Sequence, residues 1–447
     1  MSLSAGRPAW QLPLQWPQAT APSGVGDSLL GERLFKAAIL FAMLAFTVLD
    51  RFGLRVTEST SISTSLMAMY GLAAAMVTAG VAELNVRGAA AYLAVFAIAT
   101  LSLMVNAAVE PPPLVSAMSF LLLGVIYAPL CVSLRQGAAG PELWRWTVNL
   151  FTAFALFVAA AGIAQFFIQF VFHPAWLFDY TPLIPERLRA TSGWNTAYLI
   201  YASTGEAQWT KSNGFFMREP SIFSVVMAFG LLCELSLARR KWVMAILAMG
   251  LVLSYAASGL VCLAAGLLFP LGRNTAARIV AFVVLAAGIF LLFGEALNLS
   301  HLYNRVDEFA VKNSSAYCRF VYPTVATFQQ IDSHAWTALL GHGPGSMERM
   351  GATCHNHEVT YAKALFEYGL VGTLAFGVLV LGALNRSAAP LRIRVGAGVT
   401  WVLLGGNLLD PPVLLFIYVV SAMWPKDTAR SLKLAAPARG LRGAEAR

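Results

Sequence analysis

The sequence predicts an all-α, polytopic integral membrane protein of about twelve transmembrane helices, with two large outer loops in its second half. Three observations predict it. Only 12% of the 447 residues are charged while 58% are hydrophobic, whereas a soluble domain carries about 25% charged residues. Apolar runs long enough to cross a ~30 Å hydrocarbon core as a helix recur along nearly the whole chain. Lysine and arginine concentrate on alternate connections between those runs, the positive-inside asymmetry of membrane proteins.

Residues 1–30 are Pro- and polar-rich and hold no apolar core followed by a small-residue cleavage site. They are expected to form a disordered cytoplasmic terminus and not a removable signal. The membrane domain is expected over 31–425. Its first spans are placed at 34–50, 62–83, 88–106, 113–133 and 146–172, and the first outer loop follows at about 173–215. Spans at 216–237, 242–257, 259–271 and 276–294 lead to the second outer loop, at about 295–364. Spans at 365–385, 393–409 and 411–424 close the domain before a basic cytoplasmic tail, 426–447. The pairs 242–271 and 393–424 are broken centrally, at Ser258-Gly259 and Asp410-Pro411-Pro412. A re-entrant hairpin suits either pair nearly as well.

With the amino terminus inside, Arg87, Arg135, Arg145, the Arg239-Arg240-Lys241 run, Arg273, Arg278, Arg386, Arg392 and Arg394 all become cytoplasmic. The net charge of +9 therefore reads as topology, and no aromatic-plus-basic stripe points to nucleic acid. The lipid bilayer is the first expected partner. Of the five cysteines, Cys131, Cys233 and Cys262 fall in spans and behave as small hydrophobes. Cys318 and Cys354 share the second outer loop, where an oxidising compartment permits a disulfide between them. No CxxC, HExxH, P-loop or dinucleotide fingerprint occurs, so no metal or cofactor is expected.

Three outer clusters carry the ionisable residues, which a bilayer tolerates only at a cost. The first is Lys211-Ser212-Asn213-Gly214-Phe215-Phe216-Met217-Arg218-Glu219-Pro220-Ser221. Proline suits a first helical turn, so Arg218 and Glu219 would stand at the positive end of a helix, a setting that attracts phosphate. The alternative is that the two pair with each other or anchor the helix at the headgroups. The second is Ser314-Ser315-Ala316-Tyr317-Cys318-Arg319, preceded by Arg305 and Lys312. Arginine favours bidentate phosphate contact, and solvated loop arginines are the plainer alternative. The third runs from Gly341-His342-Gly343-Pro344-Gly345-Ser346 through His355-Asn356-His357-Glu358 to Lys363 and Glu367-Tyr368-Gly369. A helix is predicted over 356–385, with His357, Tyr361 and Leu365 on one face. Histidine is the usual general base near neutral pH. Lys363 and Glu367, spaced i,i+4, are either a helix-surface ion pair or substrate contacts.

Taken in order, Gly214–Ser224, Ser314–Arg319, Gly341–Ser346, His355–Glu358, Lys363 and Glu367–Gly372 resemble the O-antigen polymerase/O-antigen ligase superfamily, most closely its exopolysaccharide repeat-unit polymerases (Wzy-type). The likeness covers about 210–400 in motifs and the whole chain in hydropathy. It implies a glycosyltransferase with an all-helical, GT-C-like membrane fold in the bacterial inner membrane, working at the periplasmic face on undecaprenyl-diphosphate-linked glycans without metal. Other polysaccharide assembly proteins would be further partners. The implied roles fall on Arg218 and Arg319 for the diphosphate; Arg305, Lys211, Tyr317 and Lys363, from the same clusters, are expected as further substrate contacts. His355 or His357 would be the base, followed by Glu219 or Glu358. His355-Asn356 matches the family's usual dipeptide while the helical face favours His357, so the base stays between them. A ligase that caps a lipid or protein acceptor is the first alternative. A lipid-oligosaccharide flippase is the second.

Overall fold

The computed structural model describes residues 29–56, 61–109, 111–135, 141–172, 174–190, 199–201, 207–237, 239–269, 307–312, 316–331, 335–349, 359–404 and 408–424, with isolated positions at 277–288 and at 314. The chain is mostly helical. Five helices form the first half: α1 (Leu29–Thr47), α2 (Thr64–Thr78), α3 (Val86–Ala107), α4 (Leu114–Tyr127) and α5 (Pro141–Ile168). Then come α6 (Pro220–Ser236), α7 (Lys241–Leu253), α8 (Ala257–Leu268), α9 (Tyr322–Ile331), α10 (Ala335–Leu340), α11 (Thr360–Arg386), α12 (Leu391–Val399) and α13 (Pro411–Ala422).

Among the described residues, four helical segments are long and apolar enough to cross a membrane: Val86–Ala107, Leu114–Cys131, Leu143–Ile168 and Thr360–Arg386. Leu93 of α3, Leu121 of α4 and both Leu374 and Val378 of α11 stay exposed, an apolar surface that a membrane would cover. Five further apolar helices are shorter, α8 and α13 having 12 residues each. Twelve residues rise only ~18 Å, so helix length does not establish the expected twelve crossings. The expected span 276–294 and the expected terminus 1–30 lie almost wholly outside the described residues, and the expected tail 426–447 lies wholly outside them.

The all-α expectation also missed three antiparallel ribbons: β1 (Gly53–Arg55) with β2 (Ser61–Ser63), β3 (Ala82–Leu84) with β4 (Val132–Leu134), and β5 (Leu199–Tyr201) with β6 (Ala207–Thr210). Strands this short carry no alternating pattern that a sequence window can register.

Helix α6 is the centre of the bundle. Phe223, Met227, Phe229 and Leu232 are buried, and α5, α7, α8 and α12 pack around it. The close approach of α8 depends on Gly259, where a Cβ would lie 2.3 Å from the Ser224 carbonyl oxygen. Ser224 Oγ in turn accepts the Gly259 N–H at 3.0 Å. Small residues allow such backbone contact between membrane helices. The break between α7 and α8 consequently falls at Ser254–Ala256, just before the expected Ser258-Gly259.

Polar side chains collect at two opposite ends of α6. Glu219 caps its start, in reach of Asp50, Arg218, Arg319 and Asp410. Near its finish the buried Glu234 accepts the N–H and Nε–H of Arg240 at 3.0 and 3.1 Å. The Arg218–Glu219 cluster, expected outside, and Arg240, expected inside, thus lie at opposite ends of α6.

Candidate functional site

Helix α6 begins at Pro220, and Glu219, extended at φ −136°, is its N-cap residue. The Glu219 carboxylate makes no capping hydrogen bond. Its Oε2 instead accepts from Ser221 Oγ at 2.5 Å and from Arg319 Nη2 at 3.0 Å. Arg319 reaches this point from a π-helical turn, Tyr317–Val321, although it lies 100 residues further along the chain. Its Nε is buried with no hydrogen-bond partner.

Arg218 immediately precedes Glu219. Its backbone N–H and Nε–H both donate to Asp50 Oδ2, at 3.0 and 3.1 Å, and its Nη2 lies 3.6 Å from Asp410 Oδ1. Burial alone would lower the pKa of Arg218, but Asp50 and Asp410 outweigh it and raise it. The two acids differ. The Asp50 side chain is 1% exposed and locked, whereas that of Asp410 is 19% exposed and too far from Arg218 for a hydrogen bond. Burial pushes Asp410 up to about 6 against the pull of Arg218.

That shift has a consequence for stability. The folded value lies above the ~3.9 of an unfolded aspartate, so Asp410's contribution is complete below pH 4 and is lost as pH rises through about 6. Thermal unfolding of the purified protein is expected to show this decline between pH 4 and 7, and Asp410→Asn to flatten it. An unchanged slope in the variant would assign the decline to another group.

Arg51 holds the loop above this cluster. It is buried, with Nη1 donating to Asp179 Oδ1 at 2.5 Å and Thr181 Oγ1 at 3.0 Å. Its Nη2 donates to the carbonyls of Phe178 and Met217 at 2.9 and 2.7 Å, and its guanidinium lies 5.0 Å from the Tyr180 ring centre. Tyr180 stacks in turn on Phe215 at 5.1 Å. Burial lowers the Arg51 pKa, and Asp179 opposes that. The Asp50-Arg51 dipeptide therefore fixes both the loop and the backbone on which Arg218 is mounted.

A second polar centre lies under the glycine-rich turn. Gly341, Gly343 and Gly345 all have positive φ, and Gly369 interrupts α11 at φ 65°, ψ −168°. His342 and Gly343 donate their N–H groups to the carbonyls of Phe366 and Glu367 at 2.9 and 3.0 Å. From α3, Ser102 Oγ donates to the Glu367 carbonyl at 3.1 Å and Asn106 Nδ2 to that of Gly341 at 3.2 Å. Beneath the turn Lys363 bonds Glu348 and lies 3.4 Å from Glu367 Oε1. The Lys363 and Glu367 side chains are 0% exposed. The expected helix-surface pair is thus a buried triad that includes Glu348, because the turn folds over this face of α11. Burial would raise Glu348, but Lys363 overrides it and holds that carboxyl below its usual range. Thr324 Oγ1 and Tyr361 Oη, 2.6 Å apart, tie this centre to the segment that carries Arg319.

Of the residues singled out in the sequence, Arg218, Glu219 and Arg319 come together, while Lys363 belongs to the second centre. Lys211 is buried beside Ser212 and Asn213. Tyr317 opens the π-turn, with its N–H on Ser314 Oγ at 3.2 Å. Arg305, His355, His357 and Glu358 lie outside the described residues. The helix expected from 356 starts at Thr360, and Val359 is extended, so the helical face counted back from Tyr361 to His357 is interrupted there. Cys131, Cys233 and Cys262 are free thiols. Cys318 is disulfide-bonded, and Cys354 lies outside the described residues.

Sequence reasoning missed Asp50, Arg51, Asp179, Glu348 and the role of Asp410. Asp50-Arg51 at the close of an apolar run and the Asp410-Pro411-Pro412 break were the available signals. His342, in the turn, was quoted but given no role; its ring stacks on Phe366 at 4.7 Å. No family model matches this chain, and no curated protein does.

Proposed function

We propose that the chain is a membrane glycosyltransferase of the O-antigen polymerase and ligase type, which joins undecaprenyl-diphosphate-linked oligosaccharide units at the periplasmic face of the bacterial inner membrane. One observation carries this reading: Arg319, from a segment 100 residues further along the chain, reaches Glu219 at the start of α6, the residue next to Arg218. Glycan transfer from a lipid diphosphate leaves negative charge on the departing phosphate. Preorganised guanidiniums beside a helix amino terminus stabilise charge where it develops.

The local charge balance constrains how such a substrate enters. Arg51, Arg218 and Arg319 already face Asp50, Asp179, Glu219 and Asp410. A diphosphate arriving here must displace a carboxylate or protonate one. Asp410, pushed up to about 6 by burial, can give up its charge near neutral pH, and an adjacent anion raises its pKa further. Diphosphate affinity should therefore strengthen as pH falls from 8 to 6 and lose most of that dependence in Asp410→Asn. The acceptor hydroxyl's proton goes to a base, a role worth roughly 10²–10⁴-fold, for which His355 and His357 remain the candidates.

The deciding experiment is transfer by purified protein on lipid-diphosphate-linked repeat units, with chelator present. A ladder of lengthening lipid-linked oligomers is expected. A single capped acceptor would instead identify a ligase, and translocation without new glycosidic bonds a flippase. The buried Lys363–Glu367 pair within a candidate span is the feature in the flippase's favour, since transporters bury ionisable groups in this way. Orientation has its own test. Cysteines introduced at Gln208 and Lys312 should react with an impermeant reagent from outside intact cells, and one at Arg240 should not. The reverse pattern would remove the periplasmic mechanism.

A further inference from the structure

At the opposite end of the bundle from Arg218, a cavity of about 390 Å³ opens between the start of α3, the β3–β4 ribbon and the ends of α11 and α13. Arg87, Arg386, Asn85, Ser133, Ser421 and Trp424 contribute its polar lining. We propose that this cavity is a phosphate-binding site, with Arg87 and Arg386 as its cationic ligands and the Trp424 indole as a further donor.

Three independent features support the assignment. First, the two guanidiniums repel one another, and among the described residues neither forms an ion pair. Glu83 also lines the cavity but pairs with neither. Elsewhere in the protein the arginines Arg51, Arg218, Arg240 and Arg319 each have a carboxylate. Second, two residues that line the cavity hold unused donors. Nε and Nη2 of Arg386 are buried without a hydrogen-bond partner, and so is Nε1 of Trp424. Trp424 is itself 5% exposed and held by an edge-on contact with Trp144 at 5.4 Å, so its N–H cannot turn away to water. Third, the 22-residue helix α3 begins here, at Val86, and its amino-terminal end adds partial positive charge.

Several unpaired donors, two like charges and a helix amino terminus around one cavity need a single compact anion with several acceptor oxygens. A phosphate meets that need, and paired guanidiniums recognise it through two parallel N–H···O contacts. The ligand chemistry is therefore a phosphate group, either the phosphodiester of an anionic lipid or a soluble phosphate. Exposed Leu84 and Val86 stand on the rim, an apolar margin that suits a lipid's glycerol and acyl carbons. Basic pockets between membrane helices bind anionic headgroups in this way. The site makes no use of the proposed catalytic residues and stands apart from that reading.

The test uses full-length protein, purified in detergent and stripped of lipid. Native mass spectrometry would count bound phosphatidylglycerol against phosphatidylcholine of the same chain length. Thermal shift would compare inorganic phosphate with chloride at equal ionic strength. Retention of phosphatidylglycerol is expected to exceed that of phosphatidylcholine by roughly tenfold or more, and Arg87→Gln/Arg386→Gln to abolish the difference. If the double variant fails to fold, Arg87→Gln alone, at an exposed position, should still cut the preference severalfold. A shift with inorganic phosphate alone, lost in the variant, also supports the site and makes its ligand soluble. Equal retention of both lipids with no phosphate shift, or variants that bind like wild type, would overturn the proposal.

Discussion

Arg218→Ala is expected to abolish glycan transfer and to destabilise the protein by about 3–5 kcal/mol. The two losses have separate causes, and a second substitution separates them. Asp50, with a side chain 1% exposed, receives both the backbone N–H and Nε–H of Arg218 on Oδ2, and its Oδ1 has no hydrogen-bond partner. Without the guanidinium a buried carboxylate keeps one backbone donor and loses its hydrogen-bonded counter-charge. Asp50→Asn in the Arg218→Ala background should therefore recover most of the stability while transfer stays absent. Arg218→Lys keeps the charge but not the planar fork, so turnover should still fall by roughly 10²-fold or more. Arg319→Ala should affect transfer as severely and stability less, because its partner Glu219 is 10% exposed, against 1% for Asp50, and keeps its bond to Ser221. Denaturant unfolding in detergent, run beside the transfer assay, measures both. Full turnover by Arg218→Lys and by Arg319→Lys would rule out guanidinium binding of a diphosphate.

The second large effect is expected from a methyl group. Gly369→Ala should prevent the Gly341–Ser346 turn from seating and leave little folded protein. At φ 65°, ψ −168° the backbone lies in a region open essentially to glycine alone, worth about 1–3 kcal/mol of strain for any other residue. A Cβ there would also fall 2.3 Å from the Leu339 carbonyl carbon, backbone that cannot rotate aside. Gly341 faces the same crossing from the other strand, its added Cβ lying 2.3 Å from the Glu367 carbonyl carbon. Gly377→Ala, on the same helix with nothing within 4 Å, is the control and should be neutral or slightly stabilising. Melting temperature and yield of monodisperse protein report the difference. A Gly369→Ala protein as stable as the control would mean that α11 runs straight through this point.

Much of the fold was legible in the sequence because its signals are local. A long apolar run declares a helix of membrane length wherever its neighbours lie, as 88–106, 113–133 and 146–172 do. The start of α6 was legible for the same reason, since Pro220 is suited to a first helical turn. Gly369 was visible as a residue but not as a break, because nothing within its own helix demands one. The demand comes from the Leu339–Gly341 backbone that crosses there.

By itself, then, the sequence determined a mostly helical protein with helices of membrane length, and it picked out Arg218, Glu219 and Arg319 as ionisable residues lying beside apolar segments. Only the tertiary structure decided which charges answer them. Asp50 meets Arg218 across 168 residues, Arg51 meets Asp179 across 128, and Glu348 closes over Lys363 from the glycine-rich turn. The reason is physical. Helix formation and bilayer partition are settled within a few turns of chain, whereas a buried charge is stabilised by whatever opposite charge packing brings within about 4 Å, and sequence separation does not encode that distance.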